Sequence, residues 1–145
     1  MQKRGVSDQL FIYIFILVVI GLVFIFGIKQ INNVRELNDK ATYVEFKSEF
    51  VNAVDNVYNK NKGTRVTYST QSSNKPIMLP NNVKRISFET ANGKVKVVSS
   101  DKSYESFTVD HLRTNLNYLE NRNGLSFVLE NEVEEGETVV LLKNV

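Results

Sequence analysis

Cysteine is absent from the 145 residues, which excludes disulfides, thiolate zinc sites and a cysteine nucleophile. A small domain built from this chain stands on its packing alone. Histidine occurs once, at His111, with no serine motif or second histidine to complete a triad or a zinc site, and is predicted at the surface or at a helix start. No Asn-x-Ser/Thr acceptor is present among the many asparagines, so N-glycosylation is not predicted. The glycines are isolated, which rules out a phosphate-cradling loop. Net charge is only +2, and the basic residues are spread among nearly as many acids, so no basic face for nucleic acid stands out. No cofactor, metal or small-molecule substrate is implied. Glu130, Glu132, Glu134, Glu135 and Glu137 form an acidic cluster, but without the Asp/Asn/Gly spacing of a calcium loop they read as a solvated turn beside a strand edge. Asp101, Lys102 and Tyr104 are polar groups on a predicted loop, with no motif around them. Nothing here makes a catalytic constellation, and the chain is read as a non-enzyme.

Charge is missing in a second, more informative way. Residues Leu10 to Ile28, LFIYIFILVVIGLVFIFGI, contain no charged residue and no proline. As a helix this run is on the order of 28 Å long, close to the hydrocarbon thickness of a bilayer. Aromatics stand toward both ends, at Phe11, Tyr13, Phe15, Phe24 and Phe26, where interface anchoring favours them. Gly21 and Gly27 are six apart and do not make a Gly-x-x-x-Gly packing face. The lipid bilayer is therefore the first partner the sequence implies. The chain divides into a tail over 1–9, a membrane helix over 10–28 and a polar remainder from Lys29 onward.

Lys3 and Arg4 precede the run, whereas Lys29, Arg35 and Lys40 lie beyond it, so charge bias alone leaves orientation near a tie. The local pattern Lys3-Arg4-Gly5-Val6-Ser7 decides for a cytoplasmic amino terminus. That pattern resembles the class III signal peptide of archaeal type IV pilins and archaellin-like proteins. The resemblance covers about the first 60 residues and implies cleavage after Gly5, leaving Val6 as the first mature residue. It also implies that the apolar segment is retained, first as a membrane anchor and then as the start of a filament core. The glutamate that many pilins carry at the fifth mature position is Leu10 here. An ordinary signal anchor is the alternative reading of the same residues.

Past Ile28 there is no glycine before Gly63 and no proline before Pro76, so nothing over 29–62 forces the helix to stop. Apolar residues recur at Ile31, Val34, Leu37, Ala41 and Val44, then at Phe46, Phe50, Val54 and Val57, with a register slip near Val44. An amphipathic extension is predicted over 29–62; unbroken from Leu10 to Asn59, the helix would be on the order of 75 Å long. Asn38 to Thr42 includes weak helix formers, which allows a break there. Phe46, Phe50, Val54 and Val57 are predicted to face a sheet, while Ile31, Val34 and Leu37 form a face for copies of the chain or for another membrane protein.

Residues 63–145 read as a small β-rich domain outside the cytoplasm. Thr64 to Thr70 alternates as a short edge strand, Pro80-Asn81-Asn82 is a turn, and Asn92-Gly93 joins Val83–Thr90 to Lys94–Ser99 as a hairpin. Phe107 to Val109 is a further apolar stretch. Asp110 to Arg122 has a candidate N-cap, leucines at 112, 116 and 119 in helical spacing and Gly124 as a stop, so a short helix is predicted, with a loop carrying one helical turn as the alternative. Leu125–Leu129 and Thr138–Leu142 read as strands, the second central, joined as a second hairpin by a loop over Glu130–Glu137 that contains Gly136.

The predicted architecture is α+β: a long amino-terminal helix, transmembrane then amphipathic, packed on a small mostly antiparallel sheet. The function expected from it is structural, a single-pass membrane-anchored pilin-like subunit or cell-envelope assembly component. The alternative is an accessory or regulatory subunit of a larger membrane complex, with an extracytoplasmic domain that binds a ligand or protein.

Overall fold

A computed structural model describes the backbone of residues 4–69, 77–91, 93–121 and 124–145, and their side chains from residue 9 onward. One helix, α1 (Arg4–Tyr58), precedes eight strands: β1 (Arg65–Ser69), β2 (Arg85–Ala91), β3 (Lys94–Ser99), β4 (Phe107–Val109), β5 (Leu112–Thr114), β6 (Tyr118–Glu120), β7 (Ser126–Glu134) and β8 (Glu137–Asn144). The chain forms two compact units, residues 1–38 and 39–145.

The described residues of the first unit are helix alone. From Leu10 to Ile28 every large apolar side chain is exposed, from 40% for Val19 to 74% for Phe11. A helix that is apolar on all sides has no aqueous face, and this one is long and apolar enough to cross a membrane. Open space surrounds Gly21 and Gly27. No break interrupts α1 between Asn38 and Thr42, and the helix ends at Tyr58 rather than running to residue 62. Backbone turns there replace the helical ladder: the Lys60 N–H donates to the Val57 carbonyl at 3.1 Å, and Gly63 takes a φ of 82°, at little steric cost for glycine.

In the second unit the α+β prediction holds, with a helix segment packed on mostly antiparallel strands. The strands make two four-stranded sheets instead of one, in the orders β1-β7-β8-β5 and β4-β3-β2-β6. Every pairing is antiparallel except β5 with β8. The helix contributes Tyr43, Phe46, Phe50, Ala53, Val54 and Val57, all buried, at the three- and four-residue steps that keep one face inward. Tyr43 continues this stripe in place of Val44, which is exposed, and that is the origin of the register slip in the sequence pattern. Phe50 lies 5.5 Å from Phe127 in the first sheet and 6.4 and 6.5 Å from Phe107 and Phe88 in the second, so one side chain joins helix and both sheets.

β1 is an edge strand, and β8 is central in its sheet. The turn at Pro80 closes through the Val83 N–H on the Pro80 carbonyl at 3.0 Å. Ala91 pairs with Lys94, the register of a two-residue hairpin; Gly93 has a φ of 76°, while Asn92, like Thr70, Pro76 and Arg122, lies outside the described residues.

Two expectations are corrected. Of the helix expected over Asp110–Arg122, the described residues 110–121 form none: His111 has a φ of 62°, a left-handed conformation that ends any helical start. Asp110, instead of capping, pairs with Lys94 at 2.7 Å. Leu112 is buried beside Val140 in the first sheet, and Leu119 opposite Ile86 in the second. The helical spacing of the leucines reflects one segment passing from sheet to sheet in two short strands. The predicted loop Glu130–Glu137 is also mostly strand. β7 runs to Glu134, which pairs with Glu137, leaving Glu135 and Gly136, at φ 55° and 88°, as a two-residue turn. Glu130 and Glu132 lie on the outer face of β7, where Lys143 bonds both at 2.9 and 3.0 Å.

Candidate functional site

Of the residues singled out in the sequence, Gly5 and Val6 lie in the first turns of α1. Ile31, Val34 and Leu37 are 55, 56 and 66% exposed on the same helix. Steps of three residues at 100° each move these side chains back by about 60°, so the three span an arc of roughly 120°. They share one side of the helix, next to exposed Ile28, with Gln30 and Asn38 falling in the same arc.

The second unit carries a polar basin of about 920 Å³ at one end of the β4-β3-β2-β6 sheet. Three segments converge there because β2 begins where its antiparallel neighbours β3 and β6 end: Arg85 pairs with Glu120, and Ile86 with Ser99. Lys84 and Arg85 come from the start of β2, Ser100 to Lys102 from the end of β3, and Glu120 and Asn121 from the end of β6, with Asn82 from the preceding turn. Hydrogen bonds tie its polar residues to one another and to the adjoining backbone. The Asn82 amide donates to Asp101 Oδ2 at 2.9 Å, and the Ser103 N–H donates to Asp101 Oδ1 at 2.9 Å. The Tyr104 hydroxyl donates to Asn82 Oδ1 at 3.0 Å. The Asn121 side chain donates to the Val83 carbonyl at 2.9 Å and accepts from the Gly124 N–H at 3.1 Å. Hydrogen bonds from Ser103, and then from Asn82, hold the Asp101 carboxyl below the usual carboxylate range.

On the rim, Lys84, Arg85 and Lys102 are exposed. Among the described residues neither lysine forms an ion pair, while the Arg85 guanidinium lies 5.7 Å from the Tyr118 ring centre. Asp101, Lys102 and Tyr104, read in the sequence as loop polar groups without a motif, are thus brought together with Asn82. The signal for Asn82, Ser100 and Asn121 was not visible in the chain, because it lies in strand register and not in spacing.

Elsewhere, a smaller groove of about 400 Å³ lies between the Glu49–Asn56 part of α1 and Tyr68 and Ile77. Burial raises the Tyr68 hydroxyl pKa above its ordinary value. His111 is exposed and stacks on Tyr58 with ring centres 3.9 Å apart. Tyr43 stacks on Tyr104 at 4.4 Å and donates to the Glu105 carbonyl at 3.0 Å; burial, then the nearby Tyr104, raises its pKa. Among the described residues no three His, Cys, Asp or Glu side chains converge as a metal site. Compared with protein-family models, curated proteins and solved structures, the chain matches none.

Proposed function

We infer that the protein is a structural, single-pass membrane-anchored subunit, pilin-like or part of a cell-envelope assembly, with a cytoplasmic amino terminus and residues 39–145 displayed outside. The observation that carries this reading is the wholly exposed apolar helix over Leu10–Ile28, directly behind Lys3-Arg4-Gly5. Nineteen residues without charge need a non-aqueous surrounding, and bilayer and neighbouring helices both supply one. The intact mass of protein isolated from its native membrane is the test. Loss of Met1 to Gly5 is expected, and an intact tail overturns the pilin-like reading. Protease added to sealed cells should remove the domain beyond Lys29; full protection reverses the orientation.

A second reading is favoured by one observation, Leu10 at the position where many pilins carry glutamate. Under it, the protein is an accessory subunit whose Ile31, Val34 and Leu37 face docks on a larger membrane protein. Co-purification in mild detergent of a complex of defined stoichiometry is then expected, and a solitary monodisperse species counts against it.

A further inference from the structure

The basin between Asn82, Lys84, Lys102 and Asn121 has three properties that together specify a ligand class. Its polar lining is preorganised, since the amides of Asn82 and Asn121 and the Asp101 carboxylate are already fixed by neighbours at 2.9 to 3.1 Å. Binding there would cost little side-chain ordering. Its cations are on the rim, where Lys84 and Lys102 are exposed with no ion pair among the described residues, and Arg85 lies against the Tyr118 ring. Its form is wide and open, about 920 Å³, unlike an enclosed small-molecule pocket.

Two carboxylates, Asp101 and Glu120, belong to the same basin, so the excess of positive charge is small. A dense polyanion held by charge alone would gain little. A chain with widely spaced charges and many hydroxyls fits better, because rim lysines meet its anions while Asn, Ser and carboxylate groups meet its hydroxyls. Tyr118, 47% exposed on β6, carries the Arg85 guanidinium against its ring just outside the basin, which holds that cation at the basin edge.

The geometry points to a binding site for an acidic polysaccharide, of the carboxylated type, in the basin of Lys84, Arg85 and Lys102. The site serves a pilin-like subunit and an accessory subunit equally, so it does not rest on either reading of the amino-terminal helix. Full-length protein in non-ionic detergent, titrated with fluorescein-labelled oligogalacturonate and read by anisotropy, tests it. Saturable binding that weakens with salt is expected. Lys84→Glu with Lys102→Glu should weaken it about tenfold or more, since two attractions become repulsions, while Lys60→Glu with Lys62→Glu, at exposed positions beyond α1, leaves it unchanged. Should the reversed pair fail to fold by near-ultraviolet circular dichroism, Lys84→Gln with Lys102→Gln takes its place, with a severalfold loss expected. Absence of binding overturns the proposal, as does an equal loss in the Lys60/Lys62 control. Equal affinity for a neutral dextran, or for a thymidine oligonucleotide of the same charge, overturns it too, because the first removes the role of charge and the second that of the hydroxyls.

Discussion

Asn131 ties β7 to the end of α1. Its side-chain NH2, with two hydrogens, lies 2.9, 3.0 and 2.9 Å from the carbonyls of Val57, Tyr58 and Lys60, so one hydrogen is shared between acceptors at and just beyond the end of α1. Its backbone adds two bonds, donating to Thr64 and accepting from Gly63. The residue is 1% exposed, so water does not replace these bonds when the amide is removed. Asn131→Ala is expected to destabilise the domain by about 2–3 kcal/mol, read as a lowered thermal midpoint. Asn131→Asp should cost more at neutral pH, where a carboxylate would face three carbonyl oxygens. Part of that loss should return as pH falls and the acid becomes a donor, and an unchanged midpoint in either variant would refute the capping role. The sequence did hold a sign of this residue. Leu125, Phe127 and Leu129 alternate inward, and Asn131 falls next in the same phase; what hid it was the assignment of 130–137 to a loop.

Lys143 works on the opposite face of β7. Hydrogen bonds from it hold the Glu130 carboxyl below its ordinary pKa, and those same bonds raise the Lys143 ammonium. A depressed carboxylate gives stability that is complete above its unfolded pKa, about 4.3, and is lost as pH falls through its lower folded value. A raised ammonium gives stability that is complete below its unfolded pKa, about 10.4, and is lost as pH rises through the higher folded value. Lys143→Met is therefore expected to lower the thermal midpoint slightly between these limits and to converge on the parent at about pH 2. A constant offset down to that acid limit would show that the methionine acts through packing.

Among the elements, α1 was largely legible because periodicity survives in a long segment. Phe46, Phe50, Val54 and Val57 were recognisable as the inward face, and each is fully buried. The short strands β5 and β6 were not legible, since three residues hold too little alternation to outweigh leucines that happen to fall in helical steps. Their positions depend on partners far along the chain, Val140 for Leu112 and Ile86 for Leu119. The β7–β8 turn was half legible. Gly136 marked it, whereas Glu135 at φ 55° carries no sequence signal for a left-handed conformation. The basin was not legible at all, as it exists only once β2, β3 and β6 are in register.

The packing of α1 gives its own prediction. Phe50 is fully buried between aromatic rings of both sheets, so Phe50→Ala removes a side chain that no neighbour can replace. A loss of about 3–5 kcal/mol is expected, a large part of the roughly 5–15 kcal/mol that holds a domain together. Leu37→Ser, at a 66% exposed position in the other unit, should leave the domain's melting within about 0.5 kcal/mol of the parent. Any effect of that substitution is expected instead in co-purification or assembly. Similar melting of Phe50→Ala and the parent would mean that the helix is not the centre of this core.

For the whole molecule, the question is how firmly the first unit commits the chain to a membrane. From Leu10 to Ile28 every residue except Tyr13, Gly21 and Gly27 is Leu, Ile, Phe or Val. On the insertion scale such residues contribute roughly −0.3 to −0.6 kcal/mol each near the helix centre, so the run supplies about −5 kcal/mol or more. One arginine near the middle opposes this by about 2.5–3.5 kcal/mol, which leaves insertion favourable. Val19→Arg alone should thus stay with membranes through alkaline carbonate extraction. Val19→Arg with Val23→Arg adds about 5–7 kcal/mol and removes two favourable residues, which cancels the roughly 5 kcal/mol that the run supplies at the lower end of that scale. That double variant should appear in the soluble fraction with residues 39–145 still folded, since the helix stripe from Tyr43 to Val57 and both sheets lie within that unit. Release of the single variant would mean that the helix is held mainly by protein partners that a lone charge can disrupt, and retention of the double variant would mean that such partners, rather than lipid, shelter the arginines.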